Sequence, residues 1–500
     1  MQPIVRTFDE LNEIVKKNYT NPDINLIREA YVMAENAHQG AVRLTGHPFV
    51  SHPVAVACKL AEMKMHLNVV AAGLLHDVVE DTGITLADVE KQFGSDIANL
   101  VDSVTKLKNV RYHGADRYVE NMRKMFLAMA SDVRVIFIKF ADRQHNLQTL
   151  YAQPKHKQER IAREVLEIYA PIASRLGMGE MKGELEDLAF AYVLPKEYEH
   201  IKSIMDTKLR EKGVYMSRNI DLTNKLLQEG GIKDFQVHGR VKRLYSLYKK
   251  LKRYNNDVTK IYDLIAVRII VSDVEECYMV LGMLHQKWRP LPGRIKDYVA
   301  QPKPNNYQSL HTTVFSEEGQ IVEYQIRTLH MHEVDEYGIA AHWRYKDEGG
   351  KTNLRDLHWM EELMRLQKEL ASKKEFLENL EQMKIDVFKD RIFVLTPKGD
   401  VIDLPEGATP VDFAYAIHTE IGNKCTSAKI NDKMANLDTV LESGQIVEVV
   451  TDKNRKSPNA DWLKFVKTRQ ARIKIKDAAR AKTKGWLANV IAGSEEKKRK

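Results

Sequence analysis

The sequence predicts a multidomain protein, in which an all-α domain is followed by an α+β domain, a small β-rich module and a basic helical tail. Its 500 residues correspond to roughly three domains of ordinary size. Apolar residues recur at helical spacing before residue 195, as at Val165, Ile168 and Ile172. Segments of strand length that are rich in β-branched residues, YDLIAVRIIVSD and QIVEYQIRT, occur between about 200 and 345.

Changes in the residue pattern place the expected domain boundaries. Glu348-Gly349-Gly350 interrupts the pattern and precedes a charged amphipathic segment, which we interpret as a linker. Two strands joined by a turn at Pro397-Lys398-Gly399-Asp400, a short helix near 410–420 and a last strand IVEVV then predict a ββαβ-type module. We therefore expect the all-α domain at 1–195, the α+β domain at 196–345, a helical linker at 346–385, the β-rich module at 386–452 and the start of a basic helical domain at 453–500.

The composition is ordinary for a soluble globular protein, with 43% hydrophobic and 29% charged residues. No apolar run approaches the ~20 residues of a spanning helix, and the N-terminus has no signal-peptide core, so we expect a cytoplasmic protein without a membrane partner. Cys58, Cys277 and Cys425 form no CxxC pair, which argues against disulfides and a thiolate zinc site. The net charge of +8 favours an anionic partner, either nucleotide phosphates or RNA.

The first candidate site combines His52, the pair His76-Asp77 and Asp142. Two imidazoles and two carboxylates suit a divalent ion such as Mn²⁺. Glu80 lies four residues after His76 and Asp81 four after Asp77, so we expect all four to line one helix face. A His-Asp pair on a helix is commonly only capped or solvated, but apolar residues flank this one on both sides, and a buried charge needs a partner or a metal.

The second candidate site combines cations with carboxylates on strands. If a helix begins near His238, Lys242, Ser246 and Lys250 share one of its faces, and Arg240 precedes them, so the set could clamp a triphosphate or be merely solvated. Asp263 opens one strand. On another strand, Glu323, Gln325 and Arg327 share a face opposite to that of Val322, Tyr324 and Ile326. The spacing fits a solvent-exposed sheet and a metal-assisted nucleotidyl-transfer site equally well.

The words LLHDVVEDT and FADRQHNLQTL resemble the HD phosphohydrolases, and more narrowly the hydrolase domain of the RelA/SpoT family. The resemblance implies removal of the 3′-pyrophosphate from guanosine tetra- and pentaphosphate, (p)ppGpp, with Mn²⁺ held by His52, His76, Asp77 and Asp142. Glu80 and Asp81 would orient or deprotonate the attacking water, and Arg43, Asn146 and Thr149 would contact the nucleotide. Leu44 and Gln148 depart from the family pattern beside this pocket.

The words HGRVKRLYS, YDLIAVRI, GRIKDY, NNYQSLHTTV and VEYQIRT stand in the order found in RelA/SpoT synthetase domains. This implies transfer of the β,γ-pyrophosphate of ATP to the 3′-hydroxyl of GDP or GTP, with Mg²⁺ at Asp263 and Glu323 and with Glu323 as general base. The basic loop containing Arg294 and Lys296 resembles that of bifunctional members, although Ile295 replaces their usual Phe. The implied nucleotide-binding residues are Arg240, Lys242, Ser246, Lys250 and Arg268 for ATP, and Arg294, Lys296, Tyr307, Gln308 and His311 around the acceptor, where Tyr307 stacks on guanine.

Residues 387–450 resemble the TGS domain, a ubiquitin-like β-grasp module, and the basic tail resembles the start of the family's helical domain. The resemblance spans about residues 5–485, without the C-terminal regulatory domains of long members. It implies ribosome and uncharged tRNA as partners. His418 matches the position that meets the tRNA end, although an ordinary helix-surface histidine is the preferred interpretation.

These patterns together predict a bifunctional enzyme of the stringent response. It would act as a GTP pyrophosphokinase and as a guanosine-3′,5′-bis(diphosphate) 3′-diphosphatase, with the two activities in mutually exclusive states. Two alternatives stay open at this point. One is a hydrolase whose second domain only senses nucleotides, and the other is a ribosome- or tRNA-binding regulator with vestigial sites.

Overall fold

The structure is a computed structural model that divides into two compact units, Met1–Lys368 and Glu369–Lys500. It describes residues 5–108, 125, 128–129, 131–258, 261, 264–303, 307–316, 319–341, 391–442, 444–455 and 457–480. The linker predicted at 346–385 and the predicted metal ligand Asp263 lie outside these residues. No helix within them is long and apolar enough to cross a membrane.

The first part of the first unit is almost entirely helical over its described residues, as predicted. Thr7 begins the first helix with a capping box to Glu10, and Gly94, with a φ of 84°, kinks the sixth. The helices are α1 (Phe8–Asn18), α2 (Ile24–Ala37), α3 (Ser51–Glu62), α4 (Leu67–Leu75), α5 (Val78–Asp81), α6 (Leu86–Lys108), α7 (Arg134–Gln148), α8 (Lys155–Glu164), α9 (Ala170–Arg175) and α10 (Gly179–Val193).

The chain at His76 and Asp77 corrects one prediction. Helix α4 ends at Leu75 and α5 begins only at Val78, so no single helix carries all four polar residues. Asp77 has φ −103° and ψ −10°, away from helical values near −63° and −42°. In a continuous helix neighbouring side chains diverge by about 100°. This turn instead buries both His76 and Asp77.

The second part of the first unit is α+β, as predicted, and is built on a five-stranded mixed sheet of order β1-β2-β5-β4-β3. Strands β2 and β5 are parallel and the other pairs are antiparallel. Val322, Tyr324 and Ile326 enter the apolar core, which confirms the predicted alternation. The elements are α11 (Pro195–Glu229), β1 (Gln236–Val241), α12 (Leu244–Arg253), β2 (Ile265–Val271), α13 (Val274–Lys287), β3 (Lys296–Asp297), β4 (Leu310–Phe315), β5 (Ile321–Thr328) and α14 (Leu329–Tyr337).

The start of helix α12 corrects a second prediction. The backbone N–H of Lys242 donates to the carbonyl of Leu264 at 3.0 Å, which extends the pairing of β1 with β2. Arg243 is also extended, so the helix begins at Leu244. Lys242 therefore precedes the helix and does not share its face with Ser246 and Lys250.

The second unit contains the β-rich module, with two more strands and one more helix than the predicted ββαβ order. Strand β8 (CTSAKI) shows no regular alternation and buries Cys425 and Ala428, three residues apart, so its pattern is too weak to detect from the sequence. The elements are β6 (Arg391–Leu395), β7 (Val401–Pro405), α15 (Pro410–Ile417), α16 (Thr419–Lys424), β8 (Cys425–Ile430), β9 (Lys433–Ala435), β10 (Val447–Thr451) and a 3-10 helix (Ala460–Lys464), followed by helical residues 469–480.

The basic segment after residue 460 packs on this module. Trp462, Val466 and Ile475 share an apolar cluster with Tyr415. Asp412 is fully buried, and its Oδ1 accepts hydrogen bonds from the backbone N–H groups of the segment at 2.9 Å and 2.7 Å.

Candidate active sites

The first site is a buried cluster assembled by the helices α3 and α7 and by the turn after α4. Ligand atoms of His52, His76 and Asp142 all lie within 4.8 Å of one another. Nε2 of His52 lies 3.3 Å from Oδ1 of Asp142 and 3.7 Å from Oδ2 of Asp77. Nε2 of His76 lies 3.3 Å from the same Asp77 oxygen. The structure therefore brings together the four ligands that the sequence predicts.

This donor set fits a divalent metal ion. His76 donates from Nδ1 to the carbonyl of Gly73 at 2.7 Å, so its Nε2 keeps a lone pair. That Nε2 is buried and has no hydrogen-bond partner among the described residues. Two imidazoles with carboxylates are ligands for a borderline ion such as Mn²⁺ or Zn²⁺.

The electrostatics keep the cluster ready for a cation. Burial lowers the pKa of His52, against the hydrogen bond to Asp142, and so favours the neutral imidazole that a metal needs. Burial alone would raise the pKa of Asp142, but the hydrogen bond from His52 and the charge of Lys139 hold it well below its ordinary value. A carboxylate and a neutral imidazole are thus both available.

The predicted nucleotide contacts lie beside the ligand Asp142. Arg43 donates from Nη2 to Oδ1 of Asn146 at 3.1 Å and to Oγ1 of Thr149 at 3.5 Å. Asn146 in turn donates to Oδ1 of Asp142 at 2.5 Å. One guanidinium is therefore connected to the metal cluster through a single amide.

The predicted water-orienting pair lies on the short helix α5, where Glu80 is half-buried and Asp81 is exposed. The two residues that depart from the family pattern, Leu44 and Gln148, are both exposed. Side chains at these two positions reach solvent and not the ligand cluster.

Two buried residues at this site were not predicted, although both lie close to Asp142 in sequence. Nζ of Lys139 lies 3.8 Å from Oδ2 of Asp142. His145 contacts His52, with their Nδ1 atoms 2.8 Å apart, and burial lowers the pKa of His145 to about 2. The helical spacing of i, i+3 around Asp142 was the available signal.

The second site is a cavity of about 350 Å³ between α12, the sheet and the loop before β4. Its lining carries many cations and, among the described residues, one carboxylate, Glu323. This balance suits a polyphosphate. The predicted residues that line it are Arg240, Lys242, Ser246, Lys250, Arg294, Lys296, Tyr307, His311 and Glu323.

Glu323 belongs to a chain of hydrogen-bonding groups in this cavity. Tyr307 Oη lies 2.7 Å from Nε2 of His311, and Nδ1 of His311 lies 3.4 Å from Oε1 of Glu323. Burial lowers the pKa of His311, against the hydrogen bond to Glu323. A neutral His311 that accepts from Tyr307 can donate to Glu323 and fix the orientation of its carboxylate.

Lys303 is a residue of this cavity that was not predicted. Its Nζ lies 4.5 Å from the ring centroids of both Tyr298 and Tyr307. The ammonium thus occupies one face of Tyr307, the tyrosine that is predicted to stack on guanine. Burial lowers the pKa of Lys303 to about 8.

Two predicted residues lie apart from the cavity. Arg268 lines a neighbouring cavity of about 500 Å³ and donates to Oε1 of Glu336 at 2.9 Å. Gln308 donates to the carbonyl of Val299 at 3.3 Å. Asp263, the predicted Mg²⁺ ligand, lies outside the described residues.

The two domains of the first unit are joined by contacts between α10 and the α+β domain. Arg243 is hydrogen-bonded to Glu180, and the backbone N–H of Tyr245 donates to Asp187 at 2.9 Å. Gly338 has a φ of 56°, and a Cβ on it would meet the carbonyl of Leu176 at 2.1 Å. A glycine is therefore required for this close approach.

In the second unit, His418 lies between two helices and not on a helix surface. It ends α15, and its Nδ1 accepts from the backbone N–H of Glu420 at 3.3 Å, which caps α16. The side chain is exposed.

The fold and the two sites define a class of protein in which a helical domain of the HD phosphohydrolase type precedes an α+β domain of the nucleotidyltransferase type. Comparison with known proteins agrees. Residues 30–179 match the HD domain, residues 239–350 match the region found in RelA / SpoT proteins, and residues 392–451 match the TGS domain.

Three relatives narrow the class to a family. The chain is 46% identical to a GTP pyrophosphokinase of Myxococcus xanthus, over 92% of this chain and 61% of the relative. It is 44% identical to the bifunctional (p)ppGpp synthase/hydrolase SpoT of Escherichia coli K12, over 94% and 67%. It is 45% identical to a GTP pyrophosphokinase of Streptomyces coelicolor, over 95% and 58%. The chain belongs to the RelA/SpoT family and spans about two thirds or less of the length of these curated relatives.

Proposed function

We propose that the chain both makes and hydrolyses (p)ppGpp, as a GTP pyrophosphokinase and a 3′-diphosphatase. The observation that carries the proposal is that two chemically different sites lie in one chain. One is a buried His/Asp cluster, and the other is a cation-lined cavity around Glu323. A phosphohydrolase needs the former, and a pyrophosphoryl transfer needs the latter.

For hydrolysis, His52, His76, Asp77 and Asp142 would hold Mn²⁺, which when bound activates a water and neutralises phosphate charge. Asn146 and Thr149 hold Arg43 beside this cluster, where its guanidinium can bind a phosphate of the substrate. Glu80 and Asp81 follow the ligand turn and are assigned to orienting and deprotonating the water.

For synthesis, Arg240, Lys242, Ser246 and Lys250 would bind the triphosphate of ATP, while Arg294 and Lys296 bind the acceptor. Glu323 accepts the proton of the 3′-hydroxyl, and His311 holds its carboxylate in place. Mg²⁺ is assigned to Asp263 and Glu323. Because phosphoryl transfer depends mainly on position and charge neutralisation, cations and one base suffice.

Two features of the cavity describe a resting synthetase. Lys303 lies against one face of Tyr307, the ring on which guanine would stack, and Arg268 is held by Glu336 outside the cavity. Arg268 would leave Glu336 before it binds ATP. These contacts also suit the alternative of a hydrolase with a nucleotide-sensing second domain, which predicts no synthesis under any effector.

Exclusive use of one site at a time is proposed to follow from the contacts of α10. Glu180 is hydrogen-bonded to Arg243, and Arg243 lines the ATP cavity. Nucleotide binding in this cavity would therefore displace α10, the last helix of the hydrolase domain. Saturation of one site with a nonhydrolysable analogue should change the affinity of the other, since the coupling is reciprocal.

The TGS match and the basic segment after residue 460 support a role in the stringent response. We assign the second unit to uncharged tRNA and the ribosome, because its cations favour RNA. His418 is exposed and could reach a tRNA end. The cytoplasm is the compartment that holds these partners.

The test measures nucleotide turnover by the purified chain in two reactions. One contains ATP, GDP and Mg²⁺, and the other contains (p)ppGpp and Mn²⁺. Asp77→Ala should abolish only hydrolysis, and Glu323→Gln and Asp263→Ala should abolish only synthesis. A parent chain that makes no (p)ppGpp even with ribosomes and uncharged tRNA would support the sensor alternative instead.

A further inference from the structure

His145 forms a direct imidazole–imidazole hydrogen bond with His52 inside the first site. The two Nδ1 atoms are 2.8 Å apart, and the ring centroids are 4.9 Å apart. Both side chains are buried. The opposite nitrogen of His52, Nε2, points at Asp142 and Asp77.

A bond between two Nδ1 atoms allows only one proton between them, so two arrangements exist. In one, His145 donates and His52 carries its own proton on Nε2, which then faces Asp142. In the other, His52 donates from Nδ1 and keeps a bare lone pair on Nε2. Only the second arrangement leaves His52 able to ligate a metal.

We propose that His145 is a positioning residue that makes the metal-binding tautomer of His52 accessible by accepting a hydrogen bond from Nδ1–H. The inference deepens the proposed hydrolase function and rests on it for the ligand set. Because both arrangements keep the hydrogen bond between the two Nδ1 atoms, the site can shift from one to the other without breaking that bond. The number of protons on the pair is the same in both.

The same logic predicts what happens without an acceptor at position 145. The Nδ1–H of His52 would then be buried without a partner, which is costly. His52 would keep its proton on Nε2, where Asp142 accepts it at 3.3 Å. The metal would have to displace this proton, so its affinity should fall.

Two polar substitutions separate the hydrogen bond from the burial of a polar side chain. His145→Asn places an amide oxygen where Nδ1 of His145 lies, so the acceptor is kept. His145→Gln moves the amide one bond further and loses that position. His145→Leu removes all acceptors, and His156→Leu on exposed α8 is the matched control.

The experiment titrates the metal-free full chain with Mn²⁺ and measures free ion by electron paramagnetic resonance. We expect His145→Gln and His145→Leu to weaken Mn²⁺ binding by about 10–100-fold, the usual cost of losing a hydrogen-bond partner of a metal ligand. His145→Asn and His156→Leu should bind like the parent. Thermal unfolding of the metal-free proteins checks that each variant is folded.

The outcomes distinguish this inference from the proposed function. Equal Mn²⁺ affinity of the Asn and Gln variants overturns the inference, even when hydrolysis is intact. A parent that binds Mn²⁺ but hydrolyses no (p)ppGpp overturns the hydrolase assignment and leaves the inference standing. A parent that binds no Mn²⁺ overturns both. If His145→Leu does not fold, the Asn–Gln comparison alone decides.

Discussion

Arg268 donates to the carboxylate of Glu336 at 2.9 Å, and this ion pair holds the arginine outside the cation-lined cavity. Burial lowers the pKa of Arg268, and the neighbouring charges of Arg327 and Arg240 lower it further. If Arg268 binds the phosphates of ATP as proposed, ATP has to compete with Glu336 for its guanidinium, and the strength of the Arg268–Glu336 pair would set how readily it does so.

Glu336→Gln should therefore lower the KM for ATP in the synthetase reaction. The variant removes the competing charge but keeps the side-chain volume, and we expect a change of about three- to tenfold, typical of a partly exposed ion pair. Steady-state kinetics at varied ATP measure it. Glu275→Gln, exposed on α13, should leave the KM unchanged. A higher KM in Glu336→Gln would mean that Glu336 helps ATP to bind.

The KM for the acceptor nucleotide should rise with pH above about 8, the pKa to which burial lowers Lys303. The sign follows from the charge: Lys303 is a cation below this pKa, attracts the acceptor phosphates there, and loses that attraction as the pH rises through it. Lys303→Arg stays charged throughout and should show a flat profile. Parallel profiles for parent and variant would exclude Lys303 as the titrating group.

Tyr307→Phe should lower kcat for synthesis more than it raises KM for the acceptor. The ring face for guanine is retained, but the hydroxyl that lies 2.7 Å from His311 is lost, so His311 no longer holds Glu323 as firmly. One neutral hydrogen bond corresponds to roughly a fivefold effect. Single-turnover rates report it. An effect confined to KM would indicate that the Tyr307 hydroxyl contacts the guanine base and does not act on Glu323 through His311.

Glu180→Gln should change the KM of the synthetase for ATP while leaving kcat for hydrolysis near that of the parent. Glu180 lies on α10 but is hydrogen-bonded to Arg243, which lines the cation-lined cavity proposed to bind ATP. Glu90→Gln, exposed on α6, is the control of equal charge change. Both reactions are assayed on the same preparation, and identical ATP kinetics in the two variants would contradict the coupling.

Asp412→Asn should destabilise the second unit by about 1–3 kcal/mol, the cost of leaving buried hydrogen-bond partners unsatisfied. Its carboxylate accepts from Thr409 and from the backbone of the basic segment. The asparagine amide has only one oxygen, so it can accept from Thr409 or from the basic segment but not from both. Denaturant unfolding of the full chain, followed at Trp462, measures the loss. Asp438→Asn, which is exposed, should be neutral.

The sequence was sufficient for those features that depend on local pattern. Helical periodicity before residue 195 and the alternation in β5 are properties of single segments, and both are confirmed. The four predicted ligands His52, His76, Asp77 and Asp142 could be grouped from the sequence because they lie in recognisable motifs. Their assembly within a few ångströms agrees with that grouping.

The features that the sequence did not predict depend on tertiary contacts. The break after Leu75 arises where two side chains must face one buried cluster, and the late start of α12 arises from pairing between Lys242 and Leu264. Lys303 carries no local signal, because it lies in a segment without helix or strand, where no periodic pattern indicates which side chains it contacts. Arg268 has no local signal for its partner either, because Glu336 lies on a helix distant in sequence.

The acidic residues of α10 constrain how the two domains of the first unit can evolve. Glu180, Glu186 and Asp187 belong by sequence to the hydrolase, yet their partners are Arg243, Lys249 and Tyr245 of the synthetase. Both domains accordingly belong to one compact unit. In a lineage that has lost hydrolysis, substitution of the acidic residues of α10 should still be disfavoured, because Arg243 and Lys249 would lose their counter-charges. Specialised descendants should keep α10 acidic long after the metal ligands have been lost.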